Sequence, residues 1–183
     1  MKCIVPFVLS AGVGLADCPP PADISGEMKD LFEQVRAAKN DLAARDISGQ
    51  MWQVWLRAPN AQAQEILNEG MRRRESFDFL GARTSFDRLV DYCPGYAEGF
   101  NQRAFVHFLT QNYELALQDL DEALSRNPDH VGAQSGRALT LMELGRKDDA
   151  RIQLNEALEN NPWLSERFLL EPGGRLALEG QDI

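Results

Sequence analysis

Apolar residues in this chain return at helical rather than strand spacing. From 113 to 126 they fall at Tyr113, Ala116, Leu117, Leu120, Ala123 and Leu124. This i, i+3, i+4, i+7 recurrence draws one apolar stripe along a helix. Asp119, Asp121 and Glu122 are assigned to the solvated side, and Asn127-Pro128-Asp129 ends the run. Proline has no N–H for the helical ladder and restricts the residue before it. The preceding helical stretch, about 97–110, carries Phe100, Ala104, Phe105, Phe108 and Leu109. It is apolar around more of its circumference than a single contact needs.

The same pattern occurs three times. Pro94, Pro128 and Pro162 stand 34 residues apart, each preceded at fixed distance by an alanine (Ala82, Ala116, Ala150) and by a large apolar residue (Phe86, Leu120, Leu154). A period of this length with this punctuation predicts a helix-turn-helix solenoid. Small residues at the repeated position allow two helices to cross closely. Gly145 stands where the first helix of the last unit must turn, and glycine accepts the left-handed conformation of a helix end. The boundaries read 63–96, 97–130 and 131–164. Upstream, 24–58 predicts another helical pair, with Leu31, Phe32 and Val35 on one helix and Ile47, Met51, Trp52 and Trp55 on the next. It lacks the alanine, so it is a degenerate unit or an unrelated cap. Downstream, 165–183 is expected to be a capping helix and tail. Phe168 and Leu169 cover the last repeat, Pro172-Gly173-Gly174 breaks the helix, and the residues from Arg175 onward are loosely held. Solenoid ends need such atypical caps because one face has no neighbour. The fold class is therefore all-α, a solenoid of about three units between an N-terminal helical pair and a C-terminal cap.

Phe100, Ala104, His107, Ala116, Leu120, Ala123 and Pro128 resemble the signature positions of the tetratricopeptide repeat, with His107 where an aromatic residue is usual. Gln134, Ala138, Leu141, Ala150, Leu154, Ala157 and Pro162 match it in the next unit, where Gln134 and Leu141 depart from type. Ile66, Gly70, Arg73, Ala82, Phe86, Leu89 and Pro94 match it in the first, with Arg73 and Leu89 departing. The whole also looks like a small exported bacterial protein of that family.

This resemblance implies binding of a protein or peptide in a groove lined by the first helix of each pair. The groove positions are Asn68, Met71 and Arg74, then Asn101, Gln102, Phe105 and Phe108, then Ser135, Leu139 and Met142. Amides and the Ser135 hydroxyl suit a peptide backbone; the apolar side chains suit its side chains, methionine adapting its shape. The alternative is that Phe105, Phe108 and Leu139 pack against the chain's own termini. One subclass of the family clamps the C-terminal carboxylate of heat-shock chaperones with Lys, Arg and Asn at fixed positions. Here those positions hold Leu67, Met71, Gln102, Gly132 and Gly136, so that activity is not predicted.

Charge and leader narrow the setting. With 28 carboxylates against 19 Lys plus Arg, the surface repels phosphate backbones and argues against nucleic-acid partners. Arg72, Arg73 and Arg74 form the one basic cluster. Residues 1–16 read as a signal peptide: a positive start, an apolar stretch too short to span a bilayer, and Gly14-Leu15-Ala16 as a cleavage site. An extended leader, 17–23, follows. Leu15-Ala16-Asp17-Cys18 also resembles a bacterial lipobox, although Asp17 is neither small nor neutral. Lipidation of Cys18, and with it membrane association, is thus the alternative. Cleavage leaves Cys18 and Cys93 in an oxidising compartment, where two thiols pair; two unpaired thiols are the competing reading. Neither His107 nor His130 has metal-ligand spacing, and neither a phosphate loop nor a nucleophile elbow is present. No catalytic residue, metal or cofactor is predicted. The sequence reads as a periplasmic adaptor or assembly factor that binds protein. The alternative is a structural subunit whose groove is filled by its own termini.

Overall fold

The computed structural model describes residues 18–178. The expected signal peptide and the last residues of the tail lie outside the described residues. Among these residues eight α-helices follow one another: α1 (Ser25–Arg36), α2 (Asp41–Trp55), α3 (Ala61–Glu75), α4 (Phe79–Tyr92), α5 (Ala97–Leu109), α6 (Tyr113–Arg126), α7 (Val131–Glu143) and α8 (Lys147–Asn160). Several starts are fixed by side-chain caps. Asn40 accepts from the Ala43 N–H, Asn60 from Ala63 and Asp78 from Gly81, each satisfying a backbone donor that the helix leaves over.

The 34-residue period reappears in the backbone. Phe77, Gln111 and Gly145, one period apart, all adopt positive φ, at 63°, 60° and 77°. At each, the next amide closes onto a carbonyl five residues back: Asp78 to Arg73, Asn112 to His107, Arg146 to Leu141. This paired closure ends α3, α5 and α7 identically and turns the chain into the second helix of the unit. Glycine meets the conformation without strain only at Gly145.

The pairs α3–α4, α5–α6 and α7–α8 pack as hairpins, and α4–α5 and α6–α7 join them into a stack. Ala82, Ala116 and Ala150 are fully buried at the seams, with Phe86, Leu120 and Leu154 beside them. A charged ladder keeps the same register. Arg103 of α5 donates to Asp119 of α6 through Nε and Nη2 (2.8 and 2.6 Å) and to Asp87 of α4 (3.0 Å). One period on, Arg137 reaches Gln153 and Asp121 (2.8 and 2.7 Å). Asp119 is therefore buried, not on a solvated face as its polarity suggested, because the Arg103 fork neutralises it in place.

The ends differ from the expected caps. C-terminal to α8 the described residues hold only a 3₁₀ turn, Ser165–Leu169. Leu169 packs on the last unit, whereas Phe168 is largely exposed. The tail is not loose where it is described. Leu176 is fully buried beside Leu141 and Leu154, Arg151 donates to its carbonyl, and Arg175 pairs with Glu143. One large apolar side chain suffices to seat it, because the end of the stack offers an uncovered core.

The N-terminal hairpin α1–α2 makes no seam with α3 like those inside the stack. Its core (Met28, Leu31, Phe32, Val35, Met51, Val54, Trp55) closes instead on Val131, Trp163 and Leu164. It thus leans across to the third unit and the 3₁₀ turn. Asn161 bonds Ser48, and Arg167 pairs with Asp41. A disulfide joins Cys18 to Cys93 across a Cα–Cα distance of 5.1 Å, so the hairpin is tied covalently to the stack at both ends.

Candidate functional site

The first helices of the three units, α3, α5 and α7, lie side by side. They form the inner face of the stack. Their starts carry a buried polar cluster. The Ala133 N–H donates to His130 Nδ1 (3.2 Å), which leaves the imidazole proton on Nε2, donating to Glu98 (2.7 Å). Asn101 and Gln102 donate to the same carboxylate, so Glu98 is buried with three partners. The Trp55 ring stacks on His130, centroids 4.2 Å apart, and Tyr96 donates its hydroxyl to the Trp55 carbonyl (2.7 Å). Burial, with Glu98 close by, pushes the Tyr96 phenol well up from its usual range. His107 and His130 are both buried, one at a repeat core position and one capping α7.

Helix α2 crosses this inner face. Gly132 is what admits it: a Cβ there would stand 2.6 Å from the Trp52 ring. Beyond Trp52 the face stays open as a cleft of about 380 Å³. Eight of the ten expected groove residues line it: Met71, Arg74, Asn101, Gln102, Phe105, Phe108, Ser135 and Leu139. Asn68 does not; it is exposed, and its amide oxygen accepts from Gln64 one turn earlier. Nor does Met142, which is buried in the core that Leu176 completes. The face is shared with residues that the sequence reading assigned elsewhere or passed over, namely Trp52, Leu56, Leu120, Thr140 and Glu166. The signal for Trp52 was Gly132, a glycine inside a helix, which marks a close approach. A larger cavity, about 740 Å³, lies between the hairpin and the starts of α5 and α7. It carries charges of both signs (Lys29, Arg36, Asp23, Asp129) and has no dominant chemistry.

At the cleft, Arg74 lies over the Phe105 ring, 5.0 Å from its centroid, and donates to Gln102. Burial pulls its pKa down, with Glu75 and Glu98 acting the other way. Among the described residues no three His, Cys, Asp or Glu side chains gather to hold a metal, and no helix is long and apolar enough to cross a membrane. What the cleft offers is shape, aromatic surface, amides and one cation.

Stacked helical hairpins with an inner face of this kind define a helical-repeat scaffold. Residues 106–162 match the tetratricopeptide repeat family model. A TPR repeat-containing protein of Rhizobium etli is 29% identical over 156 residues, which cover 81% of this chain and 68% of that protein. Among solved structures, the first TPR of Spaghetti (RPAP3) bound to the HSP90 peptide SRMEEVD superposes with a TM-score of 0.57 at 20% identity, over 58% of this chain and 86% of that one. The TPR2B domain of yeast Sti1 in complex with pHsp70 gives 0.54 at 21% identity, over 55% and 81%. Residues 106–162 thus carry tetratricopeptide repeats, within a stack that has the fold of these solved domains.

Proposed function

We propose that this chain binds a segment of another protein in the open part of its inner face, serving as an adaptor or assembly factor of the bacterial cell envelope rather than as an enzyme. The observation that carries the reading is Phe105. It is 45% exposed in the middle of a concave, mostly apolar cleft, beside Phe108, Leu139 and Met71. Exposed aromatic side chains gathered in a concavity mark a binding surface. Peptides bound by the structural neighbours support a peptide as the ligand class. Their ligands do not transfer, because Leu67, Met71, Gln102, Gly132 and Gly136 supply no charged group at the clamp positions. Export is part of the proposal; the pattern of residues 1–16 and the Cys18–Cys93 bond support it.

The test is crosslinking in cells, followed by identification of what is captured by the wild type and by Phe105→Ala. Capture should fall while the melting temperature stays within a few degrees, since a half-exposed ring contributes far less than the roughly 3–5 kcal/mol of a core aromatic. The crossing of the inner face by α2 favours a second reading, a structural subunit whose groove is filled by its own hairpin. In that case Phe105→Ala leaves capture unchanged.

A further inference from the structure

We propose that Arg74 makes the cleft selective for a peptide segment that carries a carboxylate next to a large apolar side chain. This rests on the groove-binding reading and adds the chemistry of the partner to it.

Among the described residues ten of the fifteen arginines of this acidic chain pair with a carboxylate: 57, 73, 88, 103, 126, 137, 146, 151, 167 and 175. Arg74 has no such pair among the described residues, although it lines an apolar cleft. Only its Nη1 is engaged, by the Gln102 side-chain oxygen. The Phe105 ring centroid lies 5.0 Å from the guanidinium carbon, a cation–π contact that helps hold the group at the cleft. Nε and Nη2 therefore remain as a two-pronged fork, the geometry that a carboxylate fills with two parallel bonds. Gln102 in turn donates to Glu98, which fixes the amide and with it the guanidinium. A cation drawn out of water without a full counter-charge binds an anion more strongly than a solvated one does, and the lowered pKa of Arg74 accords with that.

The cleft also has a direction. Arg74 comes from the first unit, while Glu166, its one acidic lining residue, comes from beyond the third. Glu166 holds the Ser165 hydroxyl and disfavours a second carboxylate at that end. A ligand carboxylate thus belongs at the Arg74 end, with its apolar neighbour on Phe105, Phe108 and Leu139.

The probe is a displayed library of random twelve-residue peptides, panned against the full chain with its disulfide intact. Wild type should enrich Asp or Glu flanked by large apolar residues. Enriched peptides, synthesised with free and with amidated C-termini, distinguish a side-chain carboxylate from a terminal one. Arg74→Gln should weaken the synthetic peptides by about tenfold or more, Arg74→Lys should restore part of that, and Arg74→Glu should shift enrichment to Lys and Arg. Circular dichroism and thermal melts check that each variant is folded. Enriched peptides that lack acids and bind Arg74→Gln as well as wild type, yet are lost with Phe105→Ala, overturn this inference and leave the groove reading standing. Peptides indifferent to Phe105→Ala bring down both.

Discussion

Single residues in this fold are governed by backbone conformation and desolvation more than by their type. Phe77, Gln111 and Gly145 occupy one repeated left-handed position, yet only the last is the residue that the position prefers. A left-handed residue with a Cβ costs roughly 1–2 kcal/mol, and glycine returns about 0.5–1 of that in unfolded-state freedom. Gln111→Gly should therefore stabilise the chain by about 0.5–1 kcal/mol and raise the melting temperature by one to a few degrees. Chemical denaturation would show an unchanged slope with a higher midpoint. His107 is the complementary case. Burial holds its pKa below the ordinary imidazole value, Asp119 opposing and Arg103 and Arg83 assisting. The unfolded chain takes up the proton first, so this contribution is present above about pH 6.5 and is lost as pH falls below it. Denaturation midpoints at pH 7.5 and 5.5 should show the wild type weakening at the lower pH and His107→Leu weakening less. The side-chain nitrogen Nδ1 of His107 has no partner among the described residues, so the substitution should cost little at neutral pH. The sequence placed His107 at a core position; its desolvation followed from that placement, but the Asp119 and Arg103 beside it did not.

At the scale of elements, the repeats and the N-terminal hairpin obey different rules. The stack is local: each helix packs on its sequence neighbour, and the alanine and proline spacing that made it legible is the same chemistry that makes it fold. The hairpin is nonlocal. Its core residues were legible from their periodicity, but their destination, Val131 and Trp163, lies more than seventy residues downstream, and no local pattern carries that information. Gly132 controls the contact. Gly132→Ala should push Trp52 off α7, with an overpacking cost of about 1–3 kcal/mol exceeding the helix-propensity gain of under about 1 kcal/mol. All three tryptophans, Trp52, Trp55 and Trp163, line the cavity at this contact. The expected result is a red-shifted tryptophan emission and a melting temperature lower by a few degrees. An unshifted spectrum would mean that the hairpin docks without this contact.

For the whole molecule, the disulfide and the hairpin it secures decide how much of the inner face is available. A bond between residues separated by 75 positions removes loop entropy worth up to about 4.5 kcal/mol from the unfolded chain. Calorimetry with and without a dithiol reductant should show a fall of roughly 10 °C, and Cys93→Ser should reproduce it without reductant. The sequence by itself determined the helices, their 34-residue register and half of the residues that line the open cleft. Those features follow from short-range patterns: apolar spacing, small residues at crossings, proline at the ends. Tertiary structure alone decided that α2 lies over the inner face, that Glu98 is buried between His130 and two amides, that Met142 turns into a core closed by Leu176, and that Arg74 stands in the cleft with no carboxylate paired to it among the described residues. Each of these depends on which distant surfaces meet, and that is set by the shape of the assembled stack.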